Sequence, residues 1–509
     1  MYKRQATAPP RGRTCTGPPT APPGNPFPGS PPAPPPGSRS APPTTSTPAS
    51  CTSRTPTRPA PTARPPAACT SWTPRPAPGP TSPRPSRAAP TPSATAESPW
   101  PPAVLARSSS PPTTAGPPST LYRSTDGGHS WVSLKDTAVL DVSETPYLTW
   151  GEDKPKFGWW IQAVAVDPYD SAHILFGTGA TVHGTRDLVH WAPRVRGLEE
   201  TSVRQLISPP AGEAHLISGN GDIGVLYHER LTASPKRGMA TNPVFGTATG
   251  LALAAAKPSY VVRTGWGDHG NGAFSADGGR TWAPFSAQPA LAKDAPGPIA
   301  VNADGTVLLW TFVHGDGTKH PAHRSADGGA GWSEVPTCPK GATPVADPVD
   351  PAVFYAYDTD TGTLYASTDH GRAFTARATR LPAGDSQFQL AVAPGRTGDL
   401  WLSTKENGLY RSTDGGGSFA QVGGVRAGYT LGFGKAAPGA RYPAIYLVGA
   451  TGSAPAVLRS DDEARTWTRI NDNAHQWGWT GQAVTGDPRV HGRVYLATNG
   501  RGIQYGEPA

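Results

Sequence analysis

The sequence predicts an all-β chain, and three observations predict it. A short phrase, Ser-x-Asp-x-Gly-x-x-aromatic, recurs along the chain. From Asp277 onward its aspartates fall at 277, 327, 369, 414 and 462, steps of about 42–50 residues that match one four-stranded unit of a β-repeat. Between the copies lie short apolar runs broken by Gly, Pro, Asn and Asp, the mark of strands and turns. No segment carries a convincing helical period.

The copies are Ser124-Thr125-Asp126-Gly127-Gly128 with Trp131, Ser275-Ala276-Asp277-Gly278-Gly279 with Trp282, and Ser325-Ala326-Asp327-Gly328-Gly329 with Trp332. Ser367-Thr368-Asp369 with Gly371 and Phe374, and Ser412-Thr413-Asp414-Gly415-Gly416 with Phe419, follow. Ser460-Asp461-Asp462 with Trp467 is a worn copy, with Ala464 where the others have Gly. In this phrase the Asp side chain accepts local backbone N–H groups and the Gly permits φ > 0, so each copy is a hairpin tip. The aromatic starts the next strand and packs between sheets. The phrase resembles the Asp-box of β-propellers, and it is scaffold rather than a site.

Composition divides the chain. Residues 1–118 hold 36 of the 62 prolines, 12 Lys/Arg and the single acid Glu97, a charge of +11; the remainder of the +8 total is then 8 − 11 = −3. The basic balance belongs to this segment, so the body gives no reason to expect nucleic acid as a partner. Cys15, Cys51 and Cys69 lie there too, leaving Cys338 alone in the body, without a disulfide framework or metal cluster. No metal or other cofactor is expected. No apolar run is long enough to span a membrane, and Met1-Tyr2-Lys3-Arg4-Gln5 is not followed by a signal-peptide core.

In order, residues 1–118 are Pro, Ala, Thr, Ser and Arg, too poor in apolar side chains to offset ordering entropy. They read as a disordered Pro-rich tail, or as an out-of-frame translation that switches abruptly near Thr120 into Leu121-Tyr122-Arg123-Ser124. Residues 119–155 read as the last blade of a preceding propeller. Residues 156–509 read as a seven-bladed β-propeller: strands at Ile161–Val166, Ile174–Gly177, Gln205–Ile207 and Leu216–Ser218, a degenerate copy of the phrase at Thr185-Arg186-Asp187 with Trp191, a blade around Asp222–Leu231, then the five copies from Asp277.

One turn in the body is not scaffold by pattern. Ser218-Gly219-Asn220-Gly221-Asp222-Ile223-Gly224 puts an Asp between glycines on exposed backbone, without the Ser and aromatic of the repeated phrase. A hairpin Asp holding its own turn is the plainer reading of such a stretch. The surrounding motifs point further. Gly177-Thr178-Gly179-Ala180-Thr181-Val182-His183-Gly184, Leu206-Ile207-Ser208-Pro209-Pro210, Gly221-Asp222-Ile223-Gly224, Arg469-Ile470-Asn471-Asp472, His475-Gln476-Trp477-Gly478-Trp479-Thr480-Gly481-Gln482 and Gly486-Asp487-Pro488-Arg489 occur in that order. Across roughly residues 119–507 the chain resembles glycoside hydrolase family 74.

That resemblance implies a secreted, extracellular xyloglucanase built from two propellers with the cleft between them, cleaving the β-1,4-glucan backbone of xyloglucan with inversion. It makes this chain the second propeller of a tandem pair and implies Asp222 as the general acid. Inversion needs a second carboxylate about 6.5–9.5 Å away, with a water between. The family carries that base in a Thr-Asp-Ile-Gly-Gly turn, and no such motif occurs in residues 1–150. Asp126 belongs to the repeated phrase and is not promoted to base. The expectation is an incomplete copy of the enzyme, binding xyloglucan or a related β-glucan, as a monomer.

Sugar rings need aromatic platforms and polar partners. Candidates are Trp159, Trp160, Trp266, Trp310, Trp477 and Trp479, with His475 and Gln476. Trp477 and Trp479 alternate with Gly478, so in a strand they share a face. The other class of function is a non-catalytic propeller that binds glycan or protein. A sialidase would need three arginines gripping a carboxylate; Arg263 and Arg489 are candidate members, and the set cannot be completed.

Overall fold

A computed structural model describes residues 2–4, 104–107 and 120–508, apart from 153–154, 159–160, 162, 179–180, 196–200, 268–269, 386, 477–482 and 499. The described body, part of a compact unit that takes in residues 98–509, is all-β. Its described helical turns are two short 3-10 turns, Pro146–Thr149 and Ala290–Lys293.

From Val203 the chain forms one antiparallel sheet after another. The first has strands Val203–Ile207, Leu216–Asn220 and Val225–His228. The second has Thr247–Leu253, Val261–Trp266, Gly272–Ser275 and Ala283–Pro284. Sheets beginning at Pro296, Pro344, Gln389 and Ala427 repeat the four-stranded order, and Val484–Gly486, Val494–Ala497 and Ile503–Gly506 form the last antiparallel set. Second strands such as Ala444–Ala450 are buried along their whole length. They read as continuous apolar runs because a neighbouring sheet covers each face.

The cores lie between consecutive sheets. Phe285, Ile299, Leu308, Trp310 and Phe312 fill one seam; Trp401, Leu409, Leu431, Ile445 and Leu447 fill another. The last sheet packs on the first, with Tyr495, Ala497, Ile503 and Tyr505 against Val203 and Leu216. The sheet of Ala163–Asp167, Asp170–Gly177, Val182–Thr185 and His190–Pro193 packs instead with the Leu121–Ser124 strand, joining Ile174, Phe176 and Trp191 to Leu121 and Leu134.

Two pieces of the segment expected to lack structure are strands. Tyr2–Arg4 pairs parallel with Ile503–Tyr505, and Val104–Arg107 pairs antiparallel with Leu121–Ser124. Sheet edges present unpaired backbone groups, and pairing with them requires no hydrophobic pattern in the added strand. The rest of residues 1–118 lies outside the described residues.

The repeated phrase folds as its chemistry predicts. Asp277 Oδ1 accepts the N–H groups of Arg280 and Thr281 at 3.1 and 2.9 Å. Gly278 and Gly279 have φ of 76° and 91°. The Ser adds a second tie not foreseen from the sequence: Ser275 Oγ donates to Asp277 Oδ1 at 2.7 Å and accepts the Gly279 N–H at 2.8 Å. At Asp187 a Thr replaces the Ser, and Thr185 Oγ1 donates to Asp187 Oδ1 at 3.2 Å.

Candidate functional site

Alternation of strand direction fixes which loops share an end of the molecule. In a four-stranded meander the turn between strands two and three lies at the same end as the link to the next sheet. The repeated Asp turns join strands three and four, so they occupy the opposite end. The Asp222 turn joins strands two and three of its sheet. Trp266 ends the second strand of the next sheet. His475 and Gln476 lie in the link from Thr468–Arg469 to Val484–Gly486. These four sequence candidates are thereby brought to one end.

The Asp222 turn is held from below and from the side. Asn220 N–H donates to the Gly224 carbonyl at 2.8 Å. Asn220 Nδ2 donates to the same carbonyl and to Ser218 Oγ, both at 3.1 Å, and Ser218 Oγ lies 2.8 Å from His228 Nε2. Burial pushes the His228 ring well below its usual pKa, so the imidazole is neutral. Ile223 points inward against Tyr147, Leu148, Leu226 and Met239. Gly221 N–H donates to the Ser202 carbonyl at 2.8 Å. Gly224 N–H donates to the Gly246 carbonyl at 2.8 Å, and a Cβ on Gly224 would sit 2.5 Å from the Phe245 carbonyl oxygen.

Within this frame Asp222 stands at φ 65°, one of nine described non-Gly residues with positive φ, in a left-handed conformation that Asp adopts more readily than most. Its N–H donates to Thr247 Oγ1 at 3.1 Å. Its carboxylate is exposed and makes no hydrogen bond or ion pair with a described residue. Ile223, folded inward, and Asp222, facing out, are what an alternating turn between glycines produces. Trp266 pairs in register with Thr247 and is 44% exposed, so a flat apolar ring lies one strand from the Asp222 amide's acceptor. Thr247 escaped the sequence reading because its contact spans 25 residues and carries no motif.

The other candidates divide. Gln476 is exposed. His475 Nδ1 lies 2.6 Å from Asp472 Oδ1, and Asn471 Nδ2 donates to the His475 carbonyl at 3.0 Å, so the ring is pinned to its own loop. Trp159, Trp160, Trp477 and Trp479 lie outside the described residues. Trp310 is not a surface platform: its side chain is fully buried, edge-on to Trp332 at 5.5 Å, with Nε1 donating to the Gly297 carbonyl at 3.1 Å. The run Leu308–Val313 is a second strand covered on both faces, which puts Trp310 in a seam.

The arginines weighed for a carboxylate grip are occupied. Arg263 is wholly buried. Arg489 donates to the carbonyls of Gly212 and Ala214 at 3.2 and 3.0 Å and pairs with Asp487 at 3.4 Å. Among the described residues no group of three or more His, Cys, Asp or Glu could hold a metal ion. No described helix is long and apolar enough to cross a membrane.

No family model matches the chain. A xyloglucanase of Paenibacillus is 36% identical over 426 residues, covering 77% of this chain and 40% of that protein. A xyloglucanase of Acetivibrio thermocellus is 38% identical over 421 residues, covering 76% of this chain and 48% of that one. The crystal structure of a glycoside hydrolase family 74 xyloglucanase from Xanthomonas campestris superposes with a TM-score of 0.69 at 36% identity, over 81% of this chain and 58% of that one. The chain therefore spans about half the length of the relatives it matches. In sequence and in fold alike, it is related to the xyloglucanases of glycoside hydrolase family 74.

Proposed function

We propose that the chain acts on xyloglucan as a glycoside hydrolase of the inverting type, with Asp222 as general acid. The observation that carries this reading is the Asp222 turn: an exposed carboxylate without a described partner, on backbone at φ 65°. Three neighbours hold that backbone, Ser202, Gly246 and Thr247. A side chain that only secured its own turn would accept local N–H groups, as Asp277 does; Asp222 does not.

In the proposed reaction Asp222 gives its proton to the leaving glycosidic oxygen as the C1–O bond breaks. A water attacks C1 from the opposite face and loses its proton to a second carboxylate. The Thr-Asp-Ile-Gly-Gly turn expected to carry that base is absent from residues 1–150, so the chain is read as an incomplete copy. Trp266 would take the apolar face of a sugar ring, and Gln476 its hydroxyls. The whole relatives' activity, an extracellular setting and a monomeric state are carried here as parts of the same proposal. We also propose that the propeller proper begins at Val203, and that residues 163–193 group with the blade remnant at 121–133, because Ile174, Phe176 and Trp191 share a core with Leu121 and Leu134 while Val203 and Leu216 share one with Tyr495 and Ile503.

The missing base motif favours a second reading, a propeller that binds xyloglucan without cleaving it. Release of reducing ends from xyloglucan by the full chain and by Asp222→Asn separates the two. Cleavage lost in the variant supports the acid. No cleavage by either, with equal binding of xyloglucan oligosaccharides, supports the binding module. Undiminished cleavage by Asp222→Asn would remove Asp222 from the reaction.

A further inference from the structure

The strand paired with Thr247–Leu253 carries a buried cation with no described carboxylate partner. Arg263 sits in the middle of the strand Val261–Trp266 and is fully buried. Its guanidinium donates to three main-chain carbonyls: Ala240 at 3.4 Å, Thr241 at 3.0 Å and Pro243 at 2.6 Å. Its Cζ lies 4.4 Å from the Phe245 ring centroid and 4.7 Å from that of Trp282. Burial draws its pKa down to about 9, which leaves it charged at neutral pH.

Burying such a charge is costly unless hydrogen bonds compensate it. An apolar side chain would fill the same space between two rings without that cost. What it could not do is hold carbonyls. All three acceptors belong to one irregular segment, residues 240–243. That segment runs directly into the groups that hold the Asp222 turn. Phe245 is fully buried beside the guanidinium. The Gly246 carbonyl takes the Gly224 N–H, and Thr247 Oγ1 takes the Asp222 N–H. Asn242 adds a tie from the other side, Nδ2 donating to the Trp282 carbonyl at 2.8 Å.

We propose that Arg263 is a positioning residue, clamping residues 240–247 so that Gly246 and Thr247 fix the Asp222 turn. This rests on the reading of Asp222 as the acid only for its catalytic meaning; the clamp itself stands on the contacts above. A planar fork reaches three carbonyls and lies between two rings, which a lysine ammonium reproduces in part.

The test uses the full chain carrying Arg263→Met, Arg263→Lys or Thr247→Val, with amide hydrogen exchange followed at each turn below the melting transition. Arg263→Met is expected to speed exchange of the Asp222 and Gly224 amides about tenfold, a local opening, while the corresponding turn between the strands Leu400–Ser403 and Leu409–Ser412 keeps its protection. Arg263→Lys should recover part of the loss. Thr247→Val, which removes the acceptor at the far end of the same segment, should speed the Asp222 amide alone and covers the case in which Arg263→Met does not fold. Unchanged exchange at Asp222 and Gly224, or an equal rise in every sheet, would overturn the clamp. The exchange readout needs no activity, so it stands apart from the failure of Asp222 as acid. If the chain cleaves xyloglucan and Asp222→Asn does not, kcat should fall from wild type to Lys to Met with KM within about twofold. Unchanged kcat with exchange raised would overturn the positioning role.

Discussion

At the scale of single residues, the backbone of the Asp222 turn constrains which substitutions are informative. Asp222 has φ 65°, and Asn tolerates that region while Ala is strained there. Asp222→Asn therefore removes the carboxylate and keeps the turn. Gly224 has φ 60° and no room for a Cβ beside the Phe245 carbonyl. Gly224→Ala is expected to cost about 1–3 kcal/mol of stability from backbone strain alone, and to disturb the Asp222 amide; urea unfolding and amide exchange read the two effects. The tryptophans make a sharper contrast. Trp310→Ala empties a seam and should cost about 3–5 kcal/mol, with the remaining folded protein binding oligosaccharide normally. Trp266→Ala should leave the melting temperature near wild type and weaken xyloglucan binding. Titration calorimetry beside thermal melts decides it, and a Trp266→Ala protein that binds as wild type would remove that ring from the site. Nothing local in the sequence separated these two residues: both stand in second strands of their sheets. What distinguishes them is distance from the strand end, a quantity the sequence leaves uncertain by a residue or two.

At the scale of the element, the Asp turn was legible because its chemistry is contained in eight residues. The Asp277 hydrogen bonds and the positive φ of Gly278 and Gly279 are local, and the spacing of the copies follows from sheet size. The same locality makes the turns acid-sensitive. The Ser418 backbone N–H and the Ser412 and Ser418 hydroxyls pull the Asp414 carboxyl down to about 2. The hydroxyl of Ser325, with the Gly331 N–H, lowers Asp327, and the Thr466 hydroxyl and N–H lower Asp462. A carboxyl with a lower pKa in the folded state binds fewer protons than in the unfolded chain, so its contribution is full above about pH 4 and is lost as pH falls below that. The melting temperature should thus change little on account of these turns from pH 7 to 5 and drop between about pH 4 and 2. A melting temperature that stays level down to pH 2 would contradict this. By contrast the clamp on the Asp222 turn was illegible. Its hydrogen-bonded partners stand 20 to 25 residues apart, and Arg263, a candidate ligand for an anion by sequence, spends its donors on main-chain carbonyls.

At the scale of the whole molecule, each sheet rests chiefly on its two neighbours, so stability should pass from seam to seam. The sequence made the repeat visible, but it could not tell which sheets adjoin across the closure, since that depends on contacts between the two ends of the body. Counting blades from 156 places the sheet with Asp187 in the propeller, and the proposed start at Val203 leaves it outside. Its core residues Ile174, Phe176 and Trp191 join Leu121 and Leu134, whereas Val203 and Leu216 join Tyr495 and Ile503. Five of the exposed large apolar side chains, Val132, Val139, Tyr169, Leu175 and Val189, also lie in that N-terminal part. Two core truncations test whether the body divides there. Tyr495 is fully buried in the seam between last and first sheets, its hydroxyl donating to Asp487 Oδ2 at 2.8 Å. Phe176 is buried against Phe157, with centroids 5.4 Å apart. Each change to Ala should cost about 3–5 kcal/mol where it acts. Tyr495→Ala should lower exchange protection in every sheet from Val203 to Gly506, because an opened seam frees both of its neighbours. Phe176→Ala should lower protection in residues 121–193 and leave the sheets from Thr247 to Arg469 as they were. A Phe176→Ala protein in which all sheets lose protection together would mean that the two parts unfold as one, and that the boundary at Val203 is only a change of neighbour.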